Sequence, residues 1–195
     1  KRWLPGYFVH GEGIFLELHR QIVVDIATNQ RVQARLNDVR ESRVIDRSVA
    51  FVALHTLSHL LIKRLSFECG YGAASLSERL YVLTDPEPLM HGALIYTANS
   101  DSEGSMGGLV RMGEPSTIER VLKTCIEEAQ WCSSDPVCRE IGDGPGQGPG
   151  NLNGAACHAC CHLPETSCEC FNVLLDRSVL IGNQNTSGGI FDSTE

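Results

Sequence analysis

The sequence lacks the features that mark a membrane protein, a secreted protein or a common nucleotide-dependent enzyme. No stretch approaches the roughly 20 apolar residues of a transmembrane helix, and no apolar signal-peptide segment opens the chain. It has no Walker A loop, no Gly-x-Ser-x-Gly elbow and no visible nucleophile–base arrangement. We therefore expect a cytoplasmic protein that has no membrane partner and carries no catalytic motor of its own.

The length allows one sizeable domain, or one domain with a small lobe held together by a metal ion. The chain has 195 residues and begins at Lys1 without an initiator methionine, so we expect a fragment or a processed chain. Residues 1–44 are predicted to form a strand and helix segment that leads into the domain. Residues 45–181 would be the domain itself, and the polar tail 182–195 is expected to be disordered.

Charge is distributed unevenly along the chain, whose formal net charge is -8. Residues 1–65 contain ten Lys or Arg and six Asp or Glu, whereas residues 66–195 contain six and eighteen. The acidic part is a poor binder of phosphate, so any contact with nucleic acid should come from the first part. The simpler interpretation of its recurring arginines, and the one we favour, is a solvated helix face. These candidate nucleic-acid-binding residues are Arg31, Arg35, Arg40, Arg43 and Arg47.

Nine cysteines are present, and most of them crowd into the last third of the chain. Their odd number, their crowding and the missing secretory signal favour a metal site over a disulfide framework. Two thiolates of a Cys-x-x-Cys turn reach one ion, and a second pair completes a tetrahedral sulfur site. We predict a structural zinc bound by four ligands, with Cys168 as the competing candidate. The four are Cys132, Cys138, Cys157 and Cys160.

Other uses of these cysteines remain open. His158 or His162 could replace a thiolate, and an iron–sulfur cluster would use the same four cysteines. Some of the thiols could simply be buried, and a redox role is disfavoured because no βαβ pattern surrounds the Cys-x-x-Cys turn. Cys161 and Cys170 are expected to be bystanders. Between the two cysteine pairs, the glycine-rich residues 142–150 predict a flexible connection.

His55 and His59 lie four residues apart, so both project from one face of a helix. Such a pair binds zinc in His-Glu-x-x-His proteases, but no glutamate lies between the two here. Two histidines hydrogen-bonded at a packed interface are therefore the favoured interpretation. The alternative is a metal-dependent hydrolase or nuclease that also uses loop carboxylates. The loop carboxylates are Asp85, Asp101 and Glu103.

Periodicity predicts an α+β fold with a small antiparallel sheet, packed helices and a C-terminal four-cysteine zinc site. Residues 48–65 are apolar on nearly all sides, as in a core helix. A capping box at Ser116 begins an amphipathic helix that places Cys125 in the core. Glu78 and Arg79 are expected to form a local ion pair. Two strands and a closing helix are predicted at residues 79–83, 93–97 and 171–180.

Taken together, the motifs resemble the MrfA-type zinc-binding (MZB) domain over roughly residues 45–180. The domain occurs in mitomycin-repair-type DEAD/DEAH-box helicases and in the helicase-partner subunit of the DISARM phage-defence system, which is the closer match. The motifs that carry the resemblance are His55-Thr56-Leu57-x-His59, Glu78-Arg79-Leu80-Tyr81, Asp101-x-Glu103-Gly104-x-x-Gly107-Gly108-Leu109, Cys132-Ser133-Ser134-Asp135-Pro136-Val137-Cys138, Asn153-Gly154-Ala155-Ala156-Cys157-His158-Ala159-Cys160, Glu165-Thr166-Ser167-Cys168-Glu169 and Leu175-Asp176-Arg177.

The resemblance implies a non-enzymatic zinc-binding accessory module of a DNA helicase system, in phage defence or in DNA repair. Four cysteines hold zinc in helicases of this kind, and they correspond to the four predicted here. The implied partner is a DEAD/DEAH-box helicase subunit, with DNA engaged mainly through the complex. A stand-alone DNA-binding module that uses the arginine series is a further alternative.

Overall fold

A computed structural model describes residues 3–4, 6, 10–27, 30, 48–72, 74–83, 90–97, 108–143, 146–182 and 189–191. Over these residues the fold is α+β, with a small antiparallel sheet and packed helices, as predicted. The elements are β1 (Gly13–Glu17), α1 (Arg20–Ala27), α2 (Val49–Cys69), β2 (Leu76–Leu83), β3 (Met90–Thr97), α3 (Gly108–Met112), α4 (Pro115–Ala129), α5 (Val137–Asp143) and α6 (Ser178–Ile181).

Helix α2 is the centre of the hydrophobic core. The Ser48 hydroxyl accepts a hydrogen bond from the Phe51 N–H at 3.1 Å, and Gly70 ends the helix with a φ of 70°. Every residue from 49 to 62 is buried, which confirms the predicted core helix. Among the described residues, neither α2 nor any other helix combines the length and apolarity needed to cross a membrane.

The sheet packs against α2 and has the strand order β1-β3-β2, all antiparallel. Its first strand comes from the segment that precedes the predicted domain, since Ile14 pairs with Ile95 of β3. Strand β2 alternates between its two faces, so Glu78 points inward together with Leu80 while Arg79 is exposed. The sheet thereby presents one carboxylate to the core helix.

Helix α4 begins differently from the prediction. It starts at Pro115, and Glu114 is the N-cap residue without a side-chain capping bond, so the predicted capping box at Ser116 is wrong. A proline at the first helical position has its φ already fixed for the helix and lacks an N–H that would be unpaired there. The predicted apolar stripe is confirmed, because Val121 and Cys125 are buried in the core.

The predicted closing helix over residues 171–180 is largely wrong, because only the short α6 is helical. Phe171, Asn172 and Leu174 have φ values of 52°, 58° and 64°, which no right-handed helix tolerates. The Asn172 side chain explains part of this turn. Its amide oxygen accepts from the Leu163 N–H and its amide nitrogen donates to the Leu163 carbonyl, both at 2.8 Å.

The glycine-rich connection has more structure than the sequence predicts. Helix α5 extends to Asp143, and the backbones of Gln147 and Asn153 form a reciprocal bridge at 2.7 and 3.0 Å. Gly146 has a φ of 87°, and a Cβ at this position would lie 2.3 Å from the Asn151 carbonyl oxygen. Glycine is therefore needed here to close a tight turn, rather than to provide flexibility.

Candidate metal centre

Four cysteine side chains converge where α4 ends and α5 begins. Cys132 follows α4, Cys138 lies in α5, and Cys157 and Cys160 lie in the turn after the bridged loop. Their sulfur atoms all lie within 4.8 Å of one another. Cys132 and Cys138 are buried, and Cys157 is half-buried. The structure thus brings together the four cysteines that the sequence predicts.

The distances between these sulfur atoms suit a tetrahedral metal ion. Cys132 and Cys157 are 3.5 Å apart, and Cys138 and Cys160 are 3.9 Å apart. The two sulfurs of the Cys-x-x-Cys turn are 3.7 Å apart. Four sulfurs at the usual zinc–sulfur distance of about 2.3 Å would form a tetrahedron with edges of about 3.8 Å. The residues present therefore fit a four-thiolate zinc site.

Local hydrogen bonds shape the first half of the cluster. The Asp135 carboxylate accepts from the Cys132 N–H at 2.9 Å, and the Ser134 N–H points at the Cys132 sulfur at 3.4 Å. The Cys138 N–H then donates to the Ser134 carbonyl at 2.9 Å as α5 begins. Asp135 thus acts on the backbone next to the cluster and fixes the direction of the first thiol.

The second half is a tight turn supported by the core helix. The Cys157 N–H donates to the Cys160 sulfur at 3.2 Å, and the Cys161 N–H donates to the Cys157 carbonyl at 2.9 Å. Lys63 of α2 donates to the carbonyls of Ala159 and Cys160 at 3.0 and 2.7 Å. The turn is therefore tied directly to the centre of the fold.

Electrostatics favour a thiolate at Cys160, whereas burial raises the pKa of Cys132 and the hydrogen bond to Cys160 raises that of Cys138. Hydrogen bonds from the Cys138 and Cys161 thiols hold the pKa of Cys160 well below its usual range, and Arg177 acts in the same direction. The Arg177 side chain is fully buried, donates to the Ala129 carbonyl at 2.8 Å and forms an ion pair with Asp135. A zinc ion with four thiolates carries a net charge of about −2, so a buried cation nearby reduces the cost of that charge.

The remaining cysteines are not members of this group of four, although Cys161 lies beside it. All nine are free thiols, so the disulfide framework disfavoured from the sequence is not formed. Cys125 is in the core, where burial raises the pKa of its thiol to about 12. Burial likewise raises the pKa of Cys170 to about 12. Cys168, the competing candidate, lies away from the cluster and beside His55, with 3.3 Å between its sulfur and the His55 Nε2.

The histidines near the cysteines do not join the cluster. His158 and His162 stack edge to face with 4.6 Å between ring centroids, and the His162 Nε2 faces the Asn153 amide nitrogen at 3.4 Å. His55 and His59 are fully buried on α2, with 4.5 Å between their ring centroids. The pair lies at a packed interface between α2, β2 and the segment after the cysteine turn, and the partner that the two rings share was not foreseen.

That shared partner is Glu78, which contacts both imidazole rings. The predicted ion pair between Glu78 and Arg79 is wrong, because the two residues point to opposite faces of β2 and Arg79 pairs with Glu169 at 3.1 Å. Burial raises the pKa of Glu78, but its electrostatic contacts and hydrogen bonds with His55 and His59 outweigh it and hold this pKa well below its usual range.

Several predicted residues cannot be placed, because they lie outside the described part of the chain. They are the candidate nucleic-acid-binding residues Arg31, Arg35, Arg40, Arg43 and Arg47 and the loop carboxylates Asp85, Asp101 and Glu103.

Comparison with known proteins decides which metal this fold binds. The family model of the MrfA Zn-binding domain (MZB) matches residues 57–161, which is more than half of the chain. The chain belongs to the MZB family. This confirms the resemblance noted from the motifs and, together with the four clustered thiols, the prediction of a structural zinc. The MZB match begins in α2 and ends one residue after the Cys-x-x-Cys motif, so it contains all four clustered cysteines.

A curated relative gives the family context. The chain is 38% identical to the DISARM protein DrmB of Bacillus paralicheniformis over 197 residues, which cover 93% of this chain and 33% of the relative. The chain therefore spans about a third of the length of that protein.

Sequence reasoning missed the roles of two buried charged residues, Glu78 and Arg177. Glu78 lies two positions from Leu76 and from Leu80 in a strand, so its period-2 pattern already places it on the inward face. The sequence carries no comparable signal for Arg177. Its environment depends on the end of α4 and the Asp135 turn, more than 40 positions away.

Proposed function

We propose that this chain is a non-enzymatic accessory module in which zinc is held by Cys132, Cys138, Cys157 and Cys160. The proposal rests on one observation: the four cysteine sulfur atoms all lie within 4.8 Å of one another. Catalytic zinc sites keep one position open for water or substrate, whereas a site with four protein thiolates is closed. A site of this kind stabilises a fold and presents a rigid surface, and it does not activate a substrate.

The curated relative supports a proposal for the system in which the module acts. Similarity to a DISARM protein over nearly the whole chain supports a role in a phage-defence helicase system, with DNA repair as the other setting of this domain. We propose a DEAD/DEAH-box helicase subunit as the partner, a cytoplasmic location, and contact with DNA mainly through the complex. The zinc module would support assembly of the helicase complex and its engagement of DNA.

A co-purification experiment tests this function. The protein is co-expressed with the DEAD/DEAH-box helicase encoded in the same system, and the helicase recovered on a tag is measured. Cys160→Ser, which removes a thiol of the cluster, should lose both zinc and helicase. Cys170→Ser, which removes a half-buried thiol outside the cluster, should keep both. Helicase recovery that is equal for the two variants would contradict the proposal.

A second observation weighs against the hydrolase alternative. His55 and His59, its proposed metal ligands, are fully buried in α2 and have no exposed surface at which a substrate could bind. Hydrolysis of DNA by the purified chain, dependent on added divalent metal and abolished by His59→Ala, would support an enzyme instead.

The stand-alone DNA-binding alternative makes a different prediction. If the arginines of residues 31–47 bound phosphates directly, the isolated chain would bind DNA with an affinity that falls steeply with salt. We expect weak binding by the chain alone and strong binding only with the helicase. Salt-dependent binding by the isolated chain, lost when these arginines are changed to glutamine, would favour the alternative.

A further inference from the structure

A second group of metal-ligating side chains lies in the core, separate from the four cysteines. It consists of His55 and His59 of α2, Glu78 of β2 and Cys168, which follows a 3-10 turn at Glu165–Ser167. Their ligand atoms lie within 4.8 Å of one another, and each residue is at most 5% exposed. Two imidazoles, a carboxylate and a thiol form a donor set of the kind that zinc accepts.

The spacing in this group suits a small tetrahedral ion. The His55 Nε2 lies 3.1 Å from the Glu78 Oε1 and 3.3 Å from the Cys168 sulfur. The His59 Nε2 lies 3.3 Å from the same Glu78 oxygen. Ligands at zinc–nitrogen and zinc–oxygen distances of about 2.0–2.1 Å are about 3.3–3.4 Å apart in a tetrahedron, and slightly more where sulfur is one of them.

The outer nitrogens of the two rings fix their tautomers. The His55 Nδ1 lies 3.2 Å from the Leu174 carbonyl, and the His59 Nδ1 lies 2.8 Å from the Cys161 carbonyl. A carbonyl oxygen only accepts, so both Nδ1 atoms carry the proton. Neutral rings then direct their Nε2 lone pairs at the shared centre. This is the arrangement of histidine ligands whose other nitrogen is held by an outer hydrogen bond.

Without a cation, these groups would oppose one another. Two Nε2 lone pairs would face one carboxylate oxygen at 3.1 and 3.3 Å, which is repulsive. A single proton on one ring or on Glu78 relieves only one of these two contacts, and protonating both rings places two imidazolium ions 4.5 Å apart, between centroids, in the core. Buried like charges at this distance are strongly unfavourable. A divalent ion between the four groups satisfies all of them at once.

The other two ligands are also prepared by the surrounding structure. The Cys168 sulfur accepts from the N–H groups of Cys170 at 3.4 Å and Asn172 at 3.2 Å, as a thiolate does. The second oxygen of Glu78 accepts from the Ser58 hydroxyl, which leaves Oε1 facing the histidines. The left-handed turn at residues 171–174 thus wraps the thiolate and also supplies the Leu174 carbonyl to His55.

We propose that His55, His59, Glu78 and Cys168 bind a second zinc ion, buried and distinct from the four-cysteine site. Four protein ligands close its coordination, so it is structural and not catalytic. It joins the core helix α2 to the inward face of β2 and to the turn that follows Cys168. The proposed function does not require it, and the two can fail independently.

The first test is the zinc content of the wild-type protein, purified without added metal and measured by elemental analysis against protein concentration. The proposal predicts about two zinc ions per chain. About one zinc per chain, with no other metal, would overturn it, and the four-cysteine site would stand. This measurement does not depend on any variant being folded.

Paired variants test which residues bind the second zinc ion. Cys168→Ser and Glu78→Gln should each reduce the content from about two zinc ions to about one, because each removes a ligand without changing size. Their controls are Cys170→Ser and Glu169→Gln, which change the same types of side chain nearby but outside the group and should keep about two. Circular dichroism confirms folding, and cobalt substitution gives a second readout.

Cobalt(II) loading distinguishes the two sites even if a variant is unstable. Cys168→Ser should lose a spectral component that has a single thiolate ligand and keep the intense sulfur charge-transfer bands of the four-thiolate site. Retention of about two metal ions in both Cys168→Ser and Glu78→Gln would overturn the assignment. Loss of the four-thiolate bands in Cys168→Ser would overturn it as well, because it would place Cys168 in the first site.

Discussion

The two clusters of metal-ligating side chains are built from different kinds of sequence. In the four-cysteine cluster, Cys132 and Cys157 lie 25 positions apart, and two short segments, residues 132–138 and 157–160, supply all the ligands. The core cluster consists of His55, His59, Glu78 and Cys168. His55 and Cys168 lie 113 positions apart in the sequence, so a helix, a strand and a turn must pack together before these ligands can meet. The first cluster can be recognised from spacing alone, whereas the second exists only in the folded chain.

This difference predicts different roles in folding. Closing a short loop costs less chain entropy than closing a long one, so the four-cysteine site can assemble while the sheet is still unformed. The core cluster requires β2 to be packed on α2 first. We therefore expect the cysteine site to be needed for folding, and the core site to stabilise a structure that is already assembled.

The largest effect should follow from Cys160→Ser. Structural zinc contributes on the order of 10 kcal/mol in small zinc-dependent folds, which is comparable with the whole stability of a domain. The variant should lose zinc and show no cooperative thermal unfolding by circular dichroism. Cys125→Ala, which removes a core thiol, should cost only about 1 kcal/mol and keep all zinc. A Cys160→Ser variant that unfolds cooperatively near the wild-type midpoint would contradict this prediction.

Arg177→Met should have the next largest effect. It removes a fully buried cation and leaves the Asp135 Oδ1 and the Ala129 carbonyl without their Arg177 donor. Breaking a buried ion pair on one side costs about 3–5 kcal/mol. Urea unfolding measures this, and the double variant Arg177→Met/Asp135→Asn should recover part of the loss. A loss below about 1 kcal/mol would show that Arg177 does not stabilise the cysteine site.

Ser58→Ala tests a hydrogen bond that holds Glu78 in the core cluster, and it should reduce the free energy of unfolding by less than Arg177→Met does. It removes the hydroxyl that donates to the second oxygen of Glu78 and leaves the four proposed ligands in place. We expect a loss of about 1–2 kcal/mol in urea unfolding, because a buried carboxylate oxygen loses its donor. Zinc content should not change. If Ser58→Ala removed a zinc ion, Ser58 would have to contribute to binding directly.

Arg79→Ala should have the smallest effect on stability, and it compares the exposed face of β2 with the buried face that carries Glu78. Arg79 is 62% exposed and pairs with Glu169 on the surface, whereas its neighbour Glu78 is buried. Exposed ion pairs contribute about 0–1 kcal/mol. The change in unfolding free energy should therefore stay below about 1 kcal/mol. A loss as large as that of Arg177→Met would show that the exposed face of β2 supports the core.

The residues that could be predicted from the sequence are those whose environment is local. The Cys-x-x-Cys spacing identifies Cys157 and Cys160, and the apolar run of residues 49–62 identifies the core helix. The apolar stripe of α4 correctly placed Cys125 in the core. In each case a short window contains the whole physical reason.

The errors have non-local causes. Residues 171–180 have a plausible helical composition, but Phe171, Asn172 and Leu174 have left-handed backbone conformations, and Asn172 is held by bonds to Leu163 and the Cys168 sulfur. Glu78 was predicted to form an ion pair with its neighbour Arg79, although strand alternation places their side chains on opposite faces of β2. The grouping of Cys168 with two histidines and a carboxylate depends on tertiary packing that no local spacing encodes.

The most direct test of the two-site account is X-ray absorption at the zinc edge of the wild-type protein. Averaged over two sites, the account predicts about 2.5 sulfur ligands at about 2.3 Å and about 1.5 nitrogen or oxygen ligands at about 2.0–2.1 Å per zinc. A shell of four sulfurs with no lighter ligand would mean that only the cysteine cluster binds zinc. It would contradict the account of the core cluster.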